Sequence, residues 1–453
     1  MEDPIQHVIV LMLENHSFDQ MLGCMKEVYP ELEGVDISGP TLYTATDYPD
    51  TTHEIAQLHT NERTTDPDPV HEHVNVLRQL NPKYGYVSDY VQSYPHVPLE
   101  RKAEVMGIYR RGFLPVLHTL AEHFAICDHW FSSLPGPTWP NRFFVHSGTS
   151  NGHVKMPSGV FDKNWHCYDQ TTVYDHLSMK GISWKIYHHG LPQSLVMIHQ
   201  LKHALHYHSM DTFFSDVTGA AKEFPQFSFI EPAYKGAEQN DQHPPSDVMA
   251  GERLLAQVYN ALRANKDLWN SSLFLFVYDE HGGFYDHLTP PAAEPPDDKI
   301  FEYAFNQLGV RVPALLVSPW VQPGVIPTIF DHTSLLKYVS DKWGLGPLGN
   351  RTAKAASFGS DLTKLQAPRT NTPEHIDEGT MPAPIANPSK RVNEHQKALV
   401  SFSHFLEQEL AKVEPLEDVA RRALHVLEGP AAQFATAAER FERFFLHKKA
   451  GRL

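Results

Sequence analysis

Two stretches of the chain are apolar without interruption and then end in oxygen-bearing side chains. Val8 to Leu13 (VIVLML) runs six residues and begins β-branched, which suits a strand buried on both faces of a parallel sheet. Glu14 and Asn15 follow at once, and Ser17 predicts a helix N-cap, with Phe18, Met21 and Leu22 on the helix's buried face. Leu273 to Tyr278 (LFLFVY) repeats the pattern and ends in Asp279-Glu280, followed by His281-Gly-Gly-Phe-Tyr-Asp-His287. Gly282 and Gly283 predict a close approach of backbone to a ligand. Ligands of open α/β sheets sit beyond the carboxyl ends of the strands, so both strand ends lie where chemistry is expected.

The remaining pattern fills in an α/β protein. Ile182 to His188 alternates and predicts a strand ending at His188-His189, and Phe227 to Ile230 predicts another ending at Glu231. Ala125 to Asp128 and Val312 to Val317 read as further strands. Helical spacing covers Leu114 to Phe124, a segment capped by Asp247 that carries Leu254, Leu255, Val258 and Leu262, and a segment starting at Asp331 or Thr333. Tyr29 to Arg78 is rich in Pro, Gly, Asp and Thr and predicts a long irregular excursion. The expected fold is a central, mostly parallel sheet flanked by helices, occupying residues 1–365. A linker at 366–392 leads to a helical region at 393–453. There Leu399, Phe402, Leu406 and Leu410 share a face, a second helix is expected over about Leu416 to Leu427, and a third carries Phe434, Ala438, Phe441 and Phe445. These stripes read as packing surface, with dimerisation or lipid contact as the alternatives.

Composition narrows the function. The net charge of -16 argues against a nucleic-acid partner and against simple electrostatic docking on anionic membranes. No apolar run is long enough to span a bilayer, although transient contact with a membrane surface stays open. Three cysteines without metal-type spacing imply no disulfide framework. No leader pattern precedes the first strand, so the expectation is a cytoplasmic protein or export without a cleaved leader. Oligomeric state is not legible.

The candidate chemistry is built from oxygens. Glu14, Asn15, Asp279 and Glu280 offer only oxygen donors, which favour one hard or borderline divalent ion: Ca, Mg, Mn or Zn. Thr138, in the run Ser132-Ser-Leu-Pro-Gly-Pro-Thr-Trp-Pro-Asn-Arg142, would add a hydroxyl near a helix N-terminus. The positive field there binds phosphate and stabilises an alkoxide. Asn141 is the expected cap of that helix. Histidines can hold phosphate oxygens and protonate a leaving alkoxide. Candidates are His73 in a Pro-rich loop, His188 and His189 at a strand end, His243 before two prolines, and His287. The constellation reads as phosphoryl transfer through a phosphothreonine. No G-x-S-x-G elbow and no P-loop occurs.

ENHSFDQMLG at Glu14 to Gly23, PTWPNR at Pro137 to Arg142 and YDEHGGFYDHLTPP at Tyr278 to Pro291 resemble the phosphoesterase family of non-specific phospholipases C and acid phosphatase A type enzymes, within the alkaline-phosphatase-like superfamily. The resemblance runs from about Ile5 to the helix after Asp331. It implies an alkaline-phosphatase-like fold, Glu14, Asn15, Thr138, Asp279 and Glu280 as metal ligands, Thr138 as nucleophile, Asn15 as a phosphate contact and His243 as general acid. His73, His188, His189 and His287 match less closely as substrate contacts. The family usually has Arg where this chain has His16. The implied substrate is a phospholipid, cleaved to diacylglycerol and a phosphorylated head group. The alternative is a phosphomonoester.

Overall fold

The computed structural model describes residues 3–35, 42–47, 51–56, 59–81, 85–98, 101–157, 165–236, 239–378, 381–383, 385, 392–413 and 430–453. Eight strands form one sheet: β1 (His7–Leu13), β2 (Ala125–Ile126), β3 (Trp184–His188), β4 (Tyr207–Ser209), β5 (Phe227–Glu231), β6 (Ser272–Tyr278), β7 (Ala314–Val317) and β8 (Gly324–Val325). Their order is β8-β2-β7-β6-β1-β5-β3-β4. Only β7 runs against the others, antiparallel to both β6 and β2. The two uninterrupted apolar runs are adjacent central strands, and every residue of β1 and β6 is buried. Their register pairs Leu13 with Tyr278, so the chain leaves both strands at the same level.

Seven helices matter below: α1 (Phe18–Leu22), α2 (Pro115–His123), α3 (Thr138–Ser147), α4 (Val248–Ala264), α5 (His332–Trp343), α6 (Glu394–Leu410) and α7 (Pro430–Lys449). The expected caps of three are present. Ser17 accepts from the Gln20 amide at 3.3 Å, Asp247 from Met249 at 3.0 Å, and Asp331 forms a capping box with Ser334. Asn141 is different. α3 starts three residues earlier, and the Asn141 amide reaches back to donate to the carbonyls of Leu134, Gly136 and Pro137 at 3.3, 2.9 and 3.2 Å. Its side chain thus ties the Pro-rich turn to the first turn of the helix it was expected to cap.

One continuous apolar core joins β1 and β6 to α2, α4, α5 and the buried faces of α6 and α7. The C-terminal stripes are therefore packing surface where described: Phe402 lies 5.1 Å from Trp165 and 5.8 Å from Phe441, ring centre to ring centre. The second C-terminal helix expected over 416–427 lies outside the described residues. The excursion at 29–78 is less irregular than its composition suggests, because Leu42–Asp47 and Thr51–Ala56 pair antiparallel and His73–Gln79 is helical. Among the described residues no helix is long and apolar enough to cross a membrane.

Candidate active site

The parallel register of β1 and β6 brings their terminal acids together. Asp279 donates its amide to Leu13 O at 3.2 Å, and its Oδ1 accepts from the amides of Asn15 at 3.2 Å and Glu280 at 2.7 Å. Asn15 holds a left-handed backbone (φ 64°), which turns the chain sharply off the strand. Gly282 makes room for it: a Cβ there would sit 2.2 Å from Asn15 O. A Cβ on Gly283 would lie 2.8 Å from Pro69. The glycine pair thus admits neighbouring protein segments, where the sequence reading expected a ligand.

Thr138 opens α3, buried, and Arg142 follows one turn later on the same helical face. The Arg142 guanidinium is fully buried. Nε donates to Asp279 Oδ2 at 3.0 Å, Nη1 to the Tyr234 hydroxyl at 3.0 Å, and Nη2 lies 3.1 Å from Glu14 Oε1. Through Arg142 the Thr138 face of α3 is docked on the ends of β1 and β6. Burial opposes ionisation of Glu14, but His395, Arg142 and His243 around it outweigh that cost and hold its carboxyl well below the usual carboxylate range.

His243 bridges two acids, with Nδ1 2.9 Å from Glu14 Oε2 and Nε2 2.9 Å from Asp68 Oδ2. Burial works against its proton, yet the two carboxylates prevail and push its pKa well above the ordinary histidine value. His71 faces the same centre. Its Nδ1–H donates to Pro69 O at 2.7 Å, and its Nε2 meets the Asn15 side-chain amide at 3.0 Å. His16, where the family usually has Arg, turns to Gln20 and the Gln242 carbonyl and stacks on Phe284, so it supports the His243 segment.

Hydrogen bonding leaves a specific remainder. Glu14 Oε1, Asn15 Oδ1 and Glu280 Oε1 are buried oxygens without a hydrogen bond. Glu14 Oε1 has Arg142 Nη2 and His395 Nδ1 as neighbours at 3.1 Å, whereas Asn15 Oδ1 and Glu280 Oε1 have no hydrogen-bond donor, and a buried acceptor left so costs about 1–3 kcal/mol. These oxygens fit a hard divalent ion. A second acidic cluster points elsewhere: ligand atoms of Asp19, Asp286 and His287 lie within 4.8 Å of one another. There, however, Arg311 donates to Asp286 Oδ1 at 2.9 Å and Asp19 Oδ1 at 3.0 Å, and His287 Nδ1 lies 2.7 Å from Asp19 Oδ2. The oxygens of this cluster are therefore already paired within an ion-pair network.

The other sequence-derived histidines sit farther out. His287 belongs to the Arg311 network. His73 bonds the Pro135 carbonyl and packs on Tyr303, behind the turn that precedes Thr138. His188 bonds Gly190 O at 2.6 Å and stacks on Phe445 near the sheet edge. His189 touches the rim, where its Nδ1 meets the Asn240 amide at 3.2 Å. The sequence presents His71 only as half of a histidine pair with His73 in the Pro-rich loop, reaching a site or solvated, and Asp68, Arg142 and His395 carried no expectation. Asp68 sits in that same loop, and Arg142 is four residues from Thr138, so local signals existed. His395 lies beyond the linker with none.

The model of the phosphoesterase family matches residues 5–346. The chain is 33% identical to non-specific phospholipase C6 of Arabidopsis thaliana, over 99% of this chain and 91% of that one. It is 28% identical to phospholipase C B of Mycobacterium tuberculosis, over 79% and 77%. Among solved structures, a protein in the alkaline phosphatase superfamily from Vibrio parahaemolyticus overlaps 56% of this chain and 64% of that one, at 13% identity and a TM-score of 0.34. A phosphoric ester hydrolase by its relatives and by its motifs, the chain belongs to the phosphoesterase family.

Proposed function

We propose that this protein is a metal-dependent phospholipase C that cleaves the glycerol-side phosphate ester of phospholipids through a phosphothreonine at Thr138. The observation that carries this reading is the set of buried oxygens at the ends of β1 and β6, where Asn15 Oδ1 and Glu280 Oε1 have no hydrogen bond and Arg142 of α3, one turn after Thr138, reaches Glu14 and Asp279. Glu14, Asn15, Asp279 and Glu280 would hold a divalent ion, which when bound eases ionisation of the Thr138 hydroxyl and neutralises phosphoryl charge. Thr138 Oγ1 attacks phosphorus, and the bond from phosphorus to the diacylglycerol oxygen breaks. His243, which keeps a proton between Glu14 and Asp68, supplies it to that oxygen. Water then attacks the phosphothreonine, freeing Thr138 and the phosphorylated head group. The α3 N-terminus and Arg142 supply positive potential throughout. The phospholipase C names of the relatives support a phospholipid as substrate. The chain's net charge of -16 favours a zwitterionic surface over an anionic one.

The test is hydrolysis of phosphatidylcholine and of para-nitrophenyl phosphate by one preparation, with and without a chelator. Chelator-sensitive release of diacylglycerol that exceeds monoester turnover is the expected result. Monoester turnover alone would make the protein an acid phosphatase, and turnover indifferent to chelation would remove the ion from the mechanism.

A further inference from the structure

Among the described residues, Glu14 is reached from three separate segments. His243 occupies Oε2 from the loop before α4, and Arg142 approaches Oε1 from α3 at 3.1 Å. The third neighbour comes from outside the family domain: His395, in the first turn of α6, brings Nδ1 to 3.1 Å from Glu14 Oε1. His395 is 1% exposed, and its ring lies 4.2 Å from the Tyr234 ring and 6.1 Å from that of Trp139, the residue after Thr138. Among the described residues neither Nδ1 nor Nε2 has a hydrogen-bond partner of good geometry, so the 3.1 Å approach to Glu14 is the close polar contact of this ring.

The turn that carries His395 is firmly seated. Asn393 caps α6, accepting from the Gln396 amide at 2.8 Å, and Gln396 Oε1 accepts from the Asn393 amide at 3.2 Å. Gln396 Nε2 also donates to Tyr234 O at 2.7 Å. Further along α6, Phe402 packs against Trp165 and Phe441. A buried imidazole 3.1 Å from a carboxylate oxygen must present an N–H, because two bare lone pairs at that distance repel. The geometry points to His395 as a positioning residue: its Nδ1–H holds Glu14 Oε1, so the C-terminal helical region completes a site whose other members lie within residues 5–346. Groups that orient ligating carboxylates are worth about 10- to 100-fold in metal affinity or activity.

This inference rests on the metal-dependent reading above, and its test separates the two. Full-length wild-type protein, His395→Phe and His395→Asn are titrated calorimetrically with Mn²⁺, Mg²⁺, Ca²⁺ and Zn²⁺ one by one, and kcat, KM and melting temperature are measured on each. Phe preserves the ring on Tyr234 and removes the donor, whereas Asn discards the ring and keeps a donor at the Nδ1 position. The expected result is that His395→Phe binds the ion about 10- to 100-fold more weakly, with kcat reduced, KM unchanged and the melting temperature retained. His395→Asn recovers most of the affinity. Wild-type affinity in His395→Phe would overturn the positioning role and leave the metal reading intact. Equal losses in both variants with a lowered melting temperature would reduce His395 to packing. A wild-type protein that binds none of the four ions would overturn the metal reading and this inference with it.

Discussion

The strand-end acids and the Asp19–Asp286–His287 cluster are built from the same materials. Each gathers buried carboxylates around one buried arginine, Arg142 in the first and Arg311 in the second. They differ in how completely the charges are met. Around Arg311 the donors are spent: it binds Asp19 and Asp286, gives Nη1 to the carbonyls of Glu33 at 2.6 Å and Asp128 at 2.8 Å, and lies over the Phe18 ring. Near Arg142, Asn15 Oδ1 and Glu280 Oε1 stay without a hydrogen bond. The distance between acidic atoms favours the Asp19 cluster as an ion site, whereas the unfinished hydrogen bonding favours the strand ends.

Thr138→Ala should lower turnover on the order of 10⁴- to 10⁶-fold with a wild-type melting curve, as nucleophile removals do. Retained turnover on lipid and aryl phosphate alike would dismiss the phosphothreonine. Arg311→Met should act in the opposite sense, on stability. With Asp19 and Asp286 left buried and unpaired, the loss should be about 3–5 kcal/mol in urea unfolding. A smaller loss would mean the network is not the charge-balanced unit described here.

A milder experiment asks directly which cluster holds an ion. A divalent ion at 100 times its Kd should stabilise the wild type by about 2.7 kcal/mol. Glu280→Gln should abolish the shift in melting temperature, and His287→Gln should keep it. The reverse pattern would move the ion to the Asp19 cluster.

Glu252 sharpens the contrast from a third side, as a buried acid with no cation beside it among the described residues. Its carboxylate caps α2 by accepting from the amides of Val116 and Leu117, at 2.6 and 3.2 Å to Oε2. Burial pushes its pKa up to about 7, against the pull of those two amides. The unfolded chain releases this proton near 4.5, whereas the folded state keeps it until about 7. Glu252 therefore contributes fully below the unfolded value, and that contribution fades as pH rises towards 7. Relative to Glu252→Gln, the wild type should lose about 1 kcal/mol per pH unit across that window in unfolding free energy. Parallel pH profiles for the two proteins would refute the raised carboxyl.

Much of the site was legible because its logic is local. Apolar runs that stop at Glu14 and Asp279 announce buried strands with chemistry at their carboxyl ends, and caps such as Ser17, Asp247 and Asp331 are read from neighbours a few residues away. The histidines were harder. His71 and His73 share a loop and a composition, and only the path of that loop turns His71 to Asn15 and His73 to Pro135. His287 falls within a family motif, yet the fold commits it to Asp19.

What the sequence determined alone was the alternation of buried strands and capped helices, the phosphoesterase motifs and an all-oxygen donor set. These follow from period, burial and residue chemistry within short windows. Only the tertiary structure decided the pairing of β1 with β6, the divided fate of the histidines, the difference between a spent and an unspent acidic cluster, and the arrival of His395 from the far end of the chain. Each depends on contacts between residues far apart in sequence, and burial makes those contacts strong by removing the water that would otherwise satisfy the same groups one at a time.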